Sequence, residues 1–314
     1  MGLSANELKI IKKLDDGTLY AQPSVVSAMF DFPYIMRPTL AVAYDDRQKP
    51  IGYLPVAEMY ADGCRGYIAA IPGTPPISPT YTPGAHHVLA EMSAPYFDHD
   101  VVAGAVNPYR TYHFETASAY VTTPEHYLGA LSKSRRKDMR RKLKQATAYQ
   151  VVPGTIEDVR KAWTDWMIDI WEERADSFGT PYDLYLAKTV AWLKLMRRSP
   201  RATLRIEKYL LGSEMVGVNC CVIHNYQGEV LCDDYLCWYN PKRATGLGIV
   251  SAVRNLTHPD MQGYRYNLGT PGVESIYEGH EYKLAIIPRA LRLDQIVCRL
   301  PPVANRGDNF ILVS

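Results

Sequence analysis

The chain has 314 residues, 47% hydrophobic and 22% charged, with a formal net charge of +2. That balance excludes a disordered, collagen-like or disulfide-stapled chain, and the length exceeds what one hydrophobic core usually organises, so two domains or one duplicated domain are expected. The six cysteines, Cys64, Cys220, Cys221, Cys232, Cys237 and Cys298, form no CxxC pair and no zinc spacing, and read as reduced, mostly buried thiols.

Met1 to Lys12 lacks the layout of an export signal, so a cytoplasmic location is expected. The first 125 residues are strand-rich. Leu40 to Tyr44, Ile51 to Tyr60 and Tyr67 to Ile71 are apolar or aromatic runs separated by the turn signals Asp45-Asp46 and Ala61-Asp62-Gly63. The uncharged stretch Gly66 to Ala90 holds five prolines, so it is a loop region and not a membrane helix. Within it, Pro72 to Pro83 reads as a rigid connector or as a cleft-lining loop.

The net charge hides a local asymmetry. Between Lys133 and Lys144 eight basic residues stand against Asp138 alone, a local net of +7 that leaves the rest of the chain at −5. On a helical wheel Lys133, Arg136, Lys137, Arg140, Arg141 and Lys144 fall on one face, while Leu128, Met139, Leu143 and Ala146 make a narrow apolar stripe on another. Such a face is either simply solvated or a surface for phosphates or nucleic acid, with Arg136, Lys137, Arg140 and Arg141 as contacts.

Next, Thr155-Ile156-Glu157-Asp158 matches a capping box that opens a helix with Val159, Trp163, Trp166, Ile170 and Trp171 at helical spacing, its tryptophans in the core. A second helix spans Pro181 to Arg198 and ends on two arginines, as the helix dipole favours. Thr203 to Leu211, Met215 to His224 and Glu229 to Trp238 are strand-like runs joined by tight turns, which makes them an antiparallel meander. The string Arg243-Ala244-Thr245-Gly246-Leu247-Gly248 then leads into an apolar-periodic helix, Ile249 to Leu256. A glycine turn at a helix N-terminus leaves backbone N–H groups unpaired in front of the positive end of the helix dipole, which suits a pyrophosphate. Gly246 and Gly248 let the backbone approach it, and Arg243 adds charge at the rim.

This order of strand, glycine turn and helix resembles the GNAT superfamily of acyl-CoA-dependent acyltransferases. The resemblance is closest to the double-domain branch that includes Fem-type aminoacyl transferases and acetyltransferase-like proteins of polysaccharide biosynthesis. It is carried by the serine- and arginine-rich segment Leu131 to Leu143, by the glycine-led strand Gly263 to Gly269 and by the pair Tyr282-Lys283, and covers about 131–300. It implies a mixed α+β fold: tandem GNAT-like units with mostly antiparallel central sheets flanked by helices. Residues 1–125 would be a degenerate first copy, and 126–314 an acyl-CoA-binding unit with the basic helix 131–146. It further implies that acetyl-CoA or another acyl-CoA is the co-substrate, held by Trp238, Tyr239, Arg243, Ala244, Thr245, Gly246, Leu247, Gly248 and Lys283. Many members carry a glycine-proline-glycine-like loop; the simpler R-A-T-G-L-G here favours CoA over aminoacyl-tRNA as donor. The alternative is a transferase that engages nucleic acid, through aminoacyl-tRNA or an amine on a polynucleotide.

Attack of an amine on a thioester needs a group to take the ammonium proton and donors for the oxyanion. Asp233 and Asp234 lie just before the glycine turn, and strand alternation sends them to opposite faces, so at most one lines the cleft; Asp234 is favoured. The departing thiolate needs a proton or a positive charge. Tyr282, Lys283, Tyr277 and His280 cluster in sequence for that role, and the resemblance puts Tyr282 first. Metal catalysis is not expected, because His86-His87 and Asp98-His99-Asp100 have no third ligand at helical spacing. No GxSxG elbow or Walker loop is present. The expected partner is an amine-bearing acceptor, with no membrane.

Overall fold

The computed structural model describes residues 3–29, 37–61, 64–68, 111–114, 117–173, 182–268, 282–288, 291, 296–299 and 310–313. The chain begins with helices α1 (Ala5–Lys13) and α2 (Pro23–Met29) and strands β1 (Arg37–Tyr44), β2 (Pro50–Ala61), β3 (Cys64–Ile68), β4 (Thr111–Phe114) and β5 (Ser118–Tyr120). Helices α3 (Pro124–Gly129) and α4 (Lys133–Ala146), strand β6 (Gln150–Pro153) and helices α5 (Ile156–Ala162), α6 (Ile168–Glu173) and α7 (Tyr182–Arg198) follow. Then come β7 (Ala202–Leu211), β8 (Glu214–Tyr226), β9 (Glu229–Tyr239), α8 (Leu247–Leu256), β10 (Arg265–Asn267), α9 (Tyr282–Ile286), β11 (Ile296–Arg299) and β12 (Phe310–Val313). The fold is of the mixed α+β class. Two compact units divide the chain: Met1–Glu115 with Val273–Ile276 and Gln295–Ser314, and Thr116–Gly272 with Tyr277–Asp294.

In the first unit an antiparallel sheet runs in the order β12-β1-β2-β3, and β4 pairs with β11. Helix α1 starts at a capping box in which Ser4 and Glu7 satisfy each other's backbone N–H groups. The second oxygen of Glu7 accepts the Leu40 N–H at 3.0 Å, which ties the helix to β1 over a core of Ile11, Val26, Leu40, Val42 and Tyr53. Strand β3 begins at Cys64, earlier than the apolar run suggests, because β2 reaches Ala61 and pairs it with Cys64.

In the second unit the sheet order is β5-β10-β9-β8-β7-β6, antiparallel at every pairing except the parallel β9–β10. The expected meander is β7-β8-β9. Its second turn places Gln227 (φ 49) and Gly228 (φ 84) both in the left-handed region, the primed geometry that matches strand twist. On one sheet face α3, α4 and α8 bury Tyr127, Met139, Val253 and Leu256 against Cys221, Cys232 and Tyr266. On the other, α5 and α7 bury Val159, Val190 and Leu193 against Ile206, Cys220, Leu236 and Trp238. Thr155 and Asp158 form the expected capping box, but the helix is not continuous: a π turn, Trp163–Met167, separates α5 from α6. The wider turn keeps Trp163, Trp166, Met167 and Ile168 all against the core, and Trp163 stacks on Tyr185 at 5.4 Å. Among the described residues no helix is long and apolar enough to cross a membrane.

Candidate active site

The sheet of the second unit opens where β9 and β10 part. Arg265 to Asn267 pair with Leu231 to Asp233, and β10 then ends while β9 runs on to Tyr239. Among the described residues the β10 side of β9 has no strand beside it from Asp234 onward, a stretch of about 20 Å. A β-bulge sits at this fork. Cys220 pairs with Leu236 and Cys221 with Asp234, leaving Tyr235 as the extra residue. The bulge reverses the alternation, so that Cys232 and Asp234 face α8 before it, whereas Leu236 and Trp238 face α7 after it.

Asp233 and Asp234 therefore enter different surroundings. Asp233 is 2% exposed and is held by His224 Nε2 at 2.9 Å and Asn267 Nδ2 at 2.8 Å. Asp234 is partly exposed, and its Oδ1 accepts from Asn219 Nδ2 at 2.7 Å. Burial pushes the Asp234 carboxyl above the usual aspartate value, while Asn219, the Tyr266 phenol, the Lys283 charge and the Cys221 thiol pull the other way. Burial likewise lowers the Lys283 ammonium, opposed by the Asp234 charge. A carboxylate and an amine, both shifted toward their neutral forms, thus adjoin at the fork. The structure brings Lys283 there on α9; the Tyr282 side chain lies outside the described residues, as do Tyr277 and His280.

The glycine turn lies at the far end of the open stretch. Asn240 builds it: its side-chain oxygen accepts the N–H groups of Lys242 (3.0 Å) and Arg243 (3.2 Å), and its backbone carbonyl accepts that of Ala244 at 2.9 Å. Thr245 donates its hydroxyl to Pro241 O at 2.6 Å. Gly246 is the N-cap of α8, with φ 78 in the left-handed region. The helix sits close on the sheet because Gly217 lacks a side chain; a β-carbon there would lie 2.1 Å from Leu247 Cδ2. Among the described residues the amides of Thr245, Gly246 and Gly248 have no acceptor. Beside Gly246 lies Lys142 of α4, whose Nζ is 2.9 Å from where a Gly246 β-carbon would be.

The remaining candidate residues divide. Tyr239 borders the turn, its Cε1 3.7 Å from the β-carbon position of Gly248. Ala244 and Leu247 are buried in the core beneath it with Tyr209, Val216 and Val250. Trp238 packs on the opposite face, its ring 5.1 Å from that of Trp163. Arg243 forms an exposed ion pair with Glu214 at 3.1 Å.

On α4, Lys133, Lys137, Arg140, Arg141 and Lys144 are exposed. Arg136 is turned inward and donates to the carbonyls of Gly129 (3.3 Å) and Leu131 (3.0 Å), closing the α3–α4 junction rather than joining the outward row. Arg141 pairs with Asp138 at 2.8 Å. Burial raises the thiols of Cys220 and Cys237, and a hydrogen bond with Cys232 together with burial raises Cys221. Among the described residues no three His, Cys, Asp or Glu side chains converge to hold a metal; His86, His87, Asp98, His99 and Asp100 lie outside them.

Sequence reasoning missed Lys142 as a member of the turn, and missed Asn219, Asn255 and Tyr266 beside Asp234. The available signal was an amide at an inward-facing position of an apolar strand and of an apolar helix face, a pattern that a purely packed core does not need.

No protein-family model matches the sequence, and no curated protein matches it. Among solved structures, the chain is similar to a conserved protein of unknown function from Bacteroides thetaiotaomicron (11% identity, TM-score 0.47, covering 95% of this chain and 98% of that one). It is similar to L-PGS from Bacillus licheniformis (11% identity, TM-score 0.42, covering 88% and 79%). A further similar structure is FemX (7% identity, TM-score 0.44, covering 94% and 93%).

Proposed function

We propose that the second unit is an acyltransferase that takes an acyl group from acetyl-CoA or another acyl-CoA and passes it to an amine. The observation that carries this reading is the ammonium of Lys142 at the positive end of α8. Two positive poles repel when nothing lies between them, and a phosphate there turns the repulsion into two attractions, with the Thr245, Gly246 and Gly248 amides as donors. From this turn the open side of β9 offers backbone groups to the amide-bearing arm of CoA, and its length delivers the thioester near Asp234 and Lys283.

The transfer needs no protein nucleophile. The acceptor nitrogen attacks the thioester carbonyl, the carbon–sulfur bond breaks, and the thiolate departs. Asp234 takes the proton that the acceptor ammonium loses before attack, the second proton that the nitrogen sheds as the amide forms passes to the departing thiolate to give the CoA thiol, and Lys283 lies on the side where that sulfur leaves. The raised, protonated thiols of Cys220, Cys221 and Cys237 suit this direct route, since a thiol is a poor nucleophile until ionised. The reduced thiols also fit a cytoplasmic protein. The test is incubation of the full chain with radiolabelled acetyl-CoA and a panel of amines. Transfer to an amine that is lost in Asp234→Asn supports the reading; a wild-type chain that neither binds nor consumes any acyl-CoA refutes it.

A second reading rests on a separate observation. Lys133, Lys137, Arg140, Arg141 and Lys144 form an exposed row along one side of α4, about 16 Å long and turned away from Lys142. The first turn of α4 has no acidic residue and Ser132 makes no side-chain cap, so cations crowd the positive end of the helix. Such a row matches a polynucleotide backbone. Binding to a single-stranded oligonucleotide that weakens steeply with salt and vanishes on reversal of Lys137, Arg140 and Lys144 supports it.

A further inference from the structure

We infer that Asn255 of α8 is a positioning residue that fixes which way the protons around Asp234 point, acting through Asn219, Tyr266 and Cys221. Its side-chain nitrogen touches each of the three groups that surround the Asp234 carboxylate: Asn219 Oδ1 at 3.1 Å, Tyr266 OH at 3.3 Å and Cys221 Sγ at 3.7 Å. Asn219 and Cys221 contact Asp234 Oδ1 at 2.7 and 3.8 Å, and the Tyr266 phenol opposes the upward shift of the same carboxyl.

An amide nitrogen only donates. Facing Asn255 Nδ2, the Tyr266 oxygen must therefore accept, which leaves its own proton for Asp234. The Cys221 sulfur, 3.7 Å from the same nitrogen, can only share one of its two N–H groups, and its own S–H turns to Asn219 Oδ1 (3.3 Å) or Asp234 Oδ1 (3.8 Å). Asn219 Oδ1 is likewise held as an acceptor. Its two N–H groups go to Asp234 Oδ1 and, across the bulge, to Leu236 O at 2.9 Å, which completes its hydrogen bonds. A flipped Asn255 would set its oxygen against Asn219 Oδ1 and reverse this order.

Stability is only part of what this asparagine provides. Asn255 is fully buried, and its own oxygen has no hydrogen-bond partner among the described residues. A buried carbonyl without a partner opposes folding and so offsets part of what the amide nitrogen gains from its hydrogen bonds. What the amide adds is direction: it leaves donors of Asn219, Tyr266 and Cys221 free to turn toward the carboxyl, which opposes the upward shift that burial imposes on Asp234. The titratable groups facing Asp234 are Lys283 from α9, Tyr266 from β10, Cys221 from β8 and, more distantly, Cys220 and Cys237; α8 contributes the uncharged Asn255. Because α8 also carries the glycine turn at its other end, one rigid helix links the donor cradle to the orientation of the base.

This inference rests on Asp234 as the base proposed above, but its test needs neither donor nor acceptor. The carboxyl 13C resonance of Asp234 is followed with pH in the full chain, in Asn255→Leu and in Tyr266→Phe, with thermal unfolding measured alongside. The expected result is a folded Asn255→Leu, shown by a cooperative unfolding transition, in which the Asp234 midpoint is raised by about one unit or more. Tyr266→Phe, which keeps the ring and removes the directed proton, raises the midpoint in the same sense and serves if the first variant does not fold. A midpoint unmoved in Tyr266→Phe, or unmoved in a folded Asn255→Leu, overturns the inference. Failure of acyl-CoA to bind would overturn only the donor assignment.

Discussion

The ammonium of Lys142 lies beside Gly246, 2.9 Å from the point a β-carbon would occupy on that glycine. It joins two features that are a hundred residues apart in sequence, the basic helix and the glycine turn, and gives a charge to a cradle otherwise made of backbone amides. Lys142→Gln removes the charge and keeps a polar side chain one atom shorter. Affinity for acetyl-CoA should fall about tenfold, and its dependence on salt should weaken, when both proteins are titrated at two ionic strengths.

The seat of α8 on the sheet depends on Gly217. A methyl group there would meet Leu247 Cδ2 at 2.1 Å and Tyr239 Cβ at 3.3 Å. Gly217→Ala should destabilise the chain by about 1–3 kcal/mol in urea unfolding, and the added substitution Leu247→Ala should recover part of the loss by making room.

The base assignment predicts a pH dependence. A general base works only when ionised, and burial raises the Asp234 carboxyl above its reference value of 3.8. The rate should therefore fall with decreasing pH through a midpoint higher than that of an ordinary aspartate. Asp234→Asn should lower the rate by about 10²–10⁴-fold and remove that limb. Asp233→Asn disturbs the buried contact with His224 instead, and should appear in unfolding measurements before it appears in the rate.

Direct transfer predicts that no acyl-enzyme forms. The double variant Cys232→Ser/Cys237→Ser should keep at least about half of the activity, and intact mass spectrometry during turnover should detect no acyl adduct on the chain. An acyl-cysteine would move the chemistry to a different residue.

Much of this architecture is legible in the sequence because it is local. Thr155 and Asp158 mark a helix start, and the glycine turn precedes its helix directly. The meander follows from alternating apolar runs closed by tight turns, and its observed strands differ from the expected ones by at most two residues at any end. What is not legible depends on register and on distant partners. The bulge at Tyr235 comes from strand pairing, yet it sends Asp234 and Leu236 to opposite faces. Arg136 reads as part of the outward row on a helical wheel, but carbonyls at Gly129 and Leu131 draw it inward. Trp238 lies next to the turn in sequence and still belongs to the opposite core. Asn255 looks like one polar interruption in an apolar helix until Asn219 and Tyr266 are brought beside it.

The central claim is that the turn from Arg243 to Gly248 holds the phosphates of an acyl-CoA. Gly248→Val tests it most directly, because a β-carbon there meets only Tyr239 Cε1 at 3.7 Å and leaves the fold room. A helical Cα–Cβ bond leans toward the N-terminus, so the branched side chain crowds the side of the turn. Calorimetric titration with acetyl-CoA should show binding by the wild type and at least about tenfold weaker binding by a variant with an unchanged melting temperature. Equal affinity in the two proteins, or no binding by the wild type, would contradict the account.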